Sequence, residues 1–137
     1  GAAMAFRILD KVGMEPADIA TVVTAIGHHD DSTAFPVNAV AAALILADKT
    51  DVRRSRVRNR DTISFDIHDR VNYAVERTDL TLDKQAGTIT LFLSINTAVC
   101  AVMDYFEIFL NRMLLCRKAA EFFRLTFHLN VNGQNLL

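Results

Sequence analysis

The sequence predicts an α+β fold: a helical first half, then a β-β-α-β unit whose three-stranded antiparallel sheet is crossed by one long helix. Three observations carry this. Apolar residues recur at helical spacing through the first fifty or so residues. The period then changes to two over residues 89–95 and again over 125–131. A long amphipathic stretch separates those two alternating runs.

Ala5 to Val12 reads as a short amphipathic helix stopped by Gly13. Pro16 opens a second helix, along which Ile19, Val22, Val23 and Ile26 repeat at the helical period. A third helix follows Ser32 and Thr33, with Pro36 near its first turn. Val37, Val40, Ala41 and Leu44 mark one face, yet Ala42, Ala43, Ile45 and Leu46 make it apolar all round, as in a buried helix.

In the second half Ile89, Leu91, Leu93 and Ile95 alternate with Thr88, Thr90, Phe92 and Ser94. Leu125, Phe127, Leu129 and Val131 alternate with Thr126, His128 and Asn130 in the same way. A further strand falls within Asn72 to Leu82, joined to the next by a turn over Asp83 to Gly87. The long helix spans about Val99 to Arg124, with a core stripe of Val99, Val102, Met103, Phe106, Leu110, Met113, Ala120 and Phe123. Asp104, Glu107, Asn111 and Lys118 fall on its other side. The division between a helical region, residues 1–60, and a small α+β region, residues 61–137, is placed near Asn59 to Ser64. The two are expected to pack as one unit.

A length of 137 residues suits one ordinary domain, and 51% hydrophobic with 23% charged residues is a globular profile. The apolar fraction is high for so short a chain, which points to a buried interface and a homodimer. The net charge of −1 gives no reason to expect nucleic acid. No apolar run is long enough to span a membrane, and no signal-peptide pattern opens the chain. The only two cysteines, Cys100 and Cys116, lie on what reads as one helix and cannot pair there, so reduced thiols and a cytoplasmic setting are expected.

The candidate chemistry lies in AIGHHDD, residues 25–31. His29 continues the stripe of the second helix, and Asp30 sits toward the same side. On the third helix Asp48 is four residues after Leu44 and Asp51 seven, which places both inward. Imidazole and carboxylate ligands in this mixture suit a divalent Mn, Fe or Zn. The plainer reading is that Asp30 or Asp31 caps a helix and Asp48 pairs with Lys49 or a nearby Arg.

The stretch AIGHHDDSTAFPVNAVAAALILADKTD resembles the later part of an HD-superfamily metal-dependent phosphohydrolase domain, over roughly Ile19 to Arg58. In that family a metal-bound water attacks a phosphoester. The resemblance implies that Asp48, in ILADKTD, corresponds to the final metal-binding aspartate, and that His28 and His29 correspond to the histidines before it. The implied metal set is His28, His29, Asp30 and Asp48. The second half resembles the C-terminal extension of some uncharacterised bacterial HD-domain proteins. The family's first histidine and its His-Asp dyad should come well upstream, and the residues before AIGHHDD contain no histidine. His28 or His29 with Asp48 alone leaves too few ligands for a tight site. No catalytic residue is assigned.

Lys49, Arg53, Arg54, Arg56, Arg58 and Arg60 crowd into one short stretch. Arg53, Arg54 and Arg56 are the candidates for holding a phosphorylated small molecule, because arginine forks match phosphate oxygens. The alternative is a solvated linker whose arginines pair with Asp51, Asp61 and Asp66. No aromatic residues interleave with them, which argues against nucleic acid. His68-Asp69 is read as structural, in a short helix capped by Ser64, with a contact to the arginine stretch. His128 reads as an exposed strand residue and Cys116 as a small buried hydrophobe. No nucleophile elbow, phosphate loop or CxxC pair occurs.

The expected function is a non-catalytic HD-like assembly or ligand-binding module, dimeric. The alternative is a metal-dependent phosphohydrolase whose missing ligands come from a partner chain or from upstream sequence.

Overall fold

Gly13 and Pro16 punctuate the first two helices as their chemistry requires. In the structure, a computed structural model that describes residues 1–58 and 66–136, α1 covers Ala2–Lys11 and α2 covers Pro16–Gly27. Gly13 stands at φ +77°, where a side chain would be strained, and the amide of Met14 reaches back to the carbonyl of Leu9. The third helix, α3, runs Ala39–Lys49. Its cap is Asn38, whose side chain accepts from the Ala41 amide at 2.8 Å. Pro36 therefore precedes the helix and does not lie in its first turn.

A short 3-10 turn at Arg54–Arg56 follows, and α4 spans Ile67–Ala74 with Asp66 as its cap. The expected cap Ser64 and the division at Asn59 to Ser64 lie in residues 59–65, outside the described residues. Strand β1 covers Val75–Asp83 and β2 covers Thr88–Ile95. The turn between them lies where the sequence places it. The Asp83 carboxylate accepts from the amides of Gln85 and Ala86, and Gly87 adopts φ +66°. Helix α5, Val102–Phe122, leads to β3, Thr126–Val131, and β4, Gln134–Asn135.

The α+β class holds, but the sheet differs from the expectation. It has four strands in the order β1-β2-β3-β4 and is mixed: β2 and β3 run parallel. The reason is the length of α5. Its 21 residues carry the chain about 30 Å back along the sheet, so the next strand starts at the end where β2 started. The fourth strand is made by Asn132-Gly133, both at positive φ, a two-residue turn with a strong hairpin signature. Asn132 also bonds β2: its side chain accepts from the Ile95 amide at 2.8 Å and donates to the Ile95 carbonyl at 3.0 Å.

One core joins both halves. Ala42, Ile45, Leu46 and Val52 from the helical region pack with Leu91, Leu129, Tyr105, Met113 and Cys116. Helix α5 buries Tyr105, Phe109, Met113, Cys116, Ala119 and Ala120, so Met113 and Ala120 of the expected stripe lie in the core and the rest of it is corrected by rotation. Met103, Leu110 and Phe123 are exposed. With apolar residues on nearly every side of α5, the period alone selects no unique face. Packing on α3 and on the sheet makes the choice. No helix among the described residues is long and apolar enough to cross a membrane.

Candidate functional site

The same rotation changes the site. Helix α3 buries Ala41, Ala42, Ile45, Leu46 and Lys49, so the inward ionisable group at its end is Lys49 and not Asp48. Lys49 follows Ile45 by four residues and Leu46 by three, and its side chain is 2% exposed. A buried ammonium needs partners. It has two: Asp31 Oδ1 at 2.6 Å and Asp48 Oδ2 at 2.8 Å. Asp31 lies in the turn after α2, 53% exposed, and Asp48 is 29% exposed. The other oxygen of Asp31 is 3.6 Å from Nε of Arg112, on α5. Arg112 lies over the Phe109 ring at 5.1 Å.

The result is a chain of alternating charge, Asp48–Lys49–Asp31–Arg112, which ties three elements together. Burial works against ionisation of the Asp48 carboxyl, but Lys49, Arg112 and His29 outweigh it and hold that group below its ordinary value. Burial likewise opposes the charge of Lys49, and its two carboxylates outweigh this and raise its affinity for the proton. The plainer sequence reading of Asp48, pairing with Lys49, is what the structure has.

The histidines are half-buried at the end of α2. Nδ1 of His28 lies 2.8 Å from the Thr24 carbonyl, and Nδ1 of His29 lies 2.7 Å from that of Ile26. A carbonyl only accepts, so each Nδ1 carries a proton. Asp30 is exposed and accepts from the amide of Asp31. The implied set His28, His29, Asp30 and Asp48 is therefore only partly assembled. His29 is close enough to bias Asp48, while the Asp48 carboxylate is held by an ammonium. Among the described residues no three His, Cys, Asp or Glu side chains come together to hold a metal ion. As arranged, these residues do not fit a tightly bound divalent cation.

The arginines divide. Arg53 and Arg56 both pair with Asp51, at 2.7 and 2.8 Å. Arg54 donates to the Tyr73 carbonyl and stacks on the Tyr73 ring at 4.5 Å. Arg56 also borders a cavity of about 220 Å³ between the 3-10 turn, α4 and α5, which Asp31, His68, Asn72, Phe109 and Arg112 line as well. His68 and Arg56 line this cavity together, and the Asp69 amide donates to the Asp66 cap of α4. Arg112 and Asn72 carry no motif in the sequence. The one available signal for Arg112 is a charge set between Ile108, Phe109 and Met113 on an otherwise apolar helix.

No family model matches this chain, and neither a curated protein nor a solved structure is similar to it at a significant level. The fold and the charge chain stand on their own geometry.

Elsewhere, Cys116 is fully buried and burial pushes its thiol up to about 12. The Cys100 thiol is pushed up to about 11 by burial and by Asp104 beside it. Neither suits a nucleophile at neutral pH. His128 is half-buried rather than exposed.

Proposed function

We propose that this chain acts as a non-catalytic assembly or ligand-binding module with a helical half of HD type. The observation that carries this reading is Lys49. Its ammonium sits between Asp31 and Asp48, so the carboxylate that resembles the family's last metal ligand already has a cation of its own. An internal lysine neutralises the charge a metal would otherwise neutralise, and it is permanent where a metal would exchange.

A homodimer follows from the uncovered face of α1. Met4, Ile8 and Val12 form one stripe at i, i+4 and i+8, exposed at 68%, 55% and 70%. No residue of α1 is buried. A second copy covering this stripe would remove its apolar surface from water. Sedimentation of the wild type against Ile8→Glu checks this, with a dimer expected only for the wild type.

The second reading, a metal-dependent phosphohydrolase completed by a partner chain, draws support from the Nδ1 bonds that orient both rings and from the closeness of His29 to Asp48. Elemental analysis separates the readings, on protein loaded with Mn, Fe or Zn and desalted, beside Asp48→Ala. The module reading expects no retained metal in either. Near-stoichiometric metal that Asp48→Ala abolishes would overturn it in favour of the enzyme.

A further inference from the structure

Leu80 and Leu82 stand opposite Leu91 and Ile89 in the β1–β2 register, so all four side chains leave the same face of the sheet. Leu91 and Ile89 are buried in the core, whereas Leu80 and Leu82 are exposed. The helical cover therefore stops short of the edge strand. The gap lies against α3, which presents Ala43 and Ala47, one turn apart, where longer side chains would reach toward β1. A groove of about 620 Å³ results, with the buried Leu46 and Ile89 as its floor and Phe123 in its wall. That volume falls within the range of about 300–1,000 Å³ typical of small-molecule sites.

Lys84, in the β1–β2 turn, is the one polar side chain on this lining. It pairs with no carboxylate among the described residues. The adjacent Asp83 stands opposite Thr88 on the other face of the hairpin, and its carboxylate accepts from the amides of Gln85 and Ala86. The groove thus has a hydrocarbon length and one cationic end, with nothing to hold the several polar groups of a sugar or a nucleotide. We propose that it binds a single-chain amphiphile with an anionic head, a medium-chain fatty carboxylate. The hydrocarbon lies between α3 and β1, and the carboxylate meets the Lys84 ammonium. A second copy suits the groove less well. An isologous contact here would bring the Lys84 ammonium of each copy into one interface, with no carboxylate in the lining to offset them. The inference rests on the reading of the chain as a binding module. Retained metal would overturn that reading, whereas failure to bind a carboxylate would overturn this inference alone.

Calorimetric titration of the full chain with octanoate, decanoate, octanol and octyltrimethylammonium tests it. Expected is saturable binding of both carboxylates, decanoate about tenfold or more tighter than octanoate, because each buried methylene contributes about fourfold. Octanol and octyltrimethylammonium should bind more weakly than octanoate. Ala47→Phe fills the groove and should weaken decanoate at least about tenfold. Ala47 is exposed, so its variant keeps the fold, which circular dichroism checks; Ala43→Leu is the second variant. Lys84→Met keeps the stem and removes the charge, which should weaken octanoate about two- to fivefold and leave octanol unchanged. No saturable binding of either carboxylate overturns the proposal, as does equal affinity for octyltrimethylammonium. Decanoate binding unchanged in both alanine variants, or octanoate binding unchanged in Lys84→Met, overturns it too. A dimer in sedimentation that Ala47→Phe dissociates would assign the groove to a second copy and overturn it as well.

Discussion

Lys49 and Asp31 meet at 2.6 Å across the turn between α2 and α3, one side chain almost wholly buried and the other half open to water. This pairing places a charge from α3 at the foot of α2. Through Arg112 it also reaches α5. The energetics are those of a pair with one buried end, worth more than a surface ion pair and less than a fully enclosed one.

Lys49→Met keeps the apolar stem and removes the ammonium, leaving Asp31 and Asp48 to face each other. Both carboxylates retain some water, so the cost should be about 1–2 kcal/mol. Lys49→Ala also opens a void and should cost about 2–4 kcal/mol. Urea denaturation of both variants measures this. A loss below about 0.5 kcal/mol in Lys49→Ala would show that the charge chain does not stabilise the fold.

The same pair sets a pH dependence. The Asp48 carboxyl is lowered, so its contribution is present above the ordinary carboxylate range and is lost as pH falls through the lower folded value. Lys49 is raised, so its contribution is present below the ordinary lysine value and is lost as pH rises through the higher folded one. Between about pH 5 and 9 these two groups should leave stability flat. In Lys49→Met both limbs should shrink, and thermal melts across pH would reveal unchanged limbs if another group dominates.

Asn132 carries two separable effects. Its side chain bonds both the amide and the carbonyl of Ile95, and its backbone sits at φ +51°. Asn132→Gly should lose only the bonds, about 1–2 kcal/mol. Asn132→Ala should lose those and add about 1 kcal/mol of backbone strain. Equal stabilities for the two variants in guanidinium denaturation would refute the strain.

Tyr105 is fully buried, and its hydroxyl donates to the Met113 sulfur at 3.3 Å. A thioether is a weak acceptor, so Tyr105→Phe removes a poor bond together with a polar atom from the core. Its effect on stability should stay within about 1 kcal/mol. Tyr105→Ala should cost about 3–5 kcal/mol through the cavity it leaves. The contrast is read from two denaturation curves, and a large loss in Tyr105→Phe would mean that the hydroxyl matters more than the ring.

The legible parts were those where local chemistry has one solution. Gly13, Pro16 and the Asp83 to Gly87 turn mark ends through backbone rules that need no partner. Ile89 to Ile95 and Phe127 to Val131 alternate strictly, so each strand's buried face could be read directly. Asn132-Gly133 is an equally local hairpin signal, and the three-strand expectation does not use it. What the tertiary structure alone decided was rotation and direction. Helices α3 and α5 are apolar on several sides, and a turn of about 100° exchanges Asp48 for Lys49 as the inward residue, while one of about 200° exchanges Met103 for Tyr105. Only the packing of α3 on α5, and of α5 across the sheet, chooses among such faces. The candidate site follows from that choice, because it places Lys49 between two carboxylates and brings Arg112 to Asp31 from far along the chain.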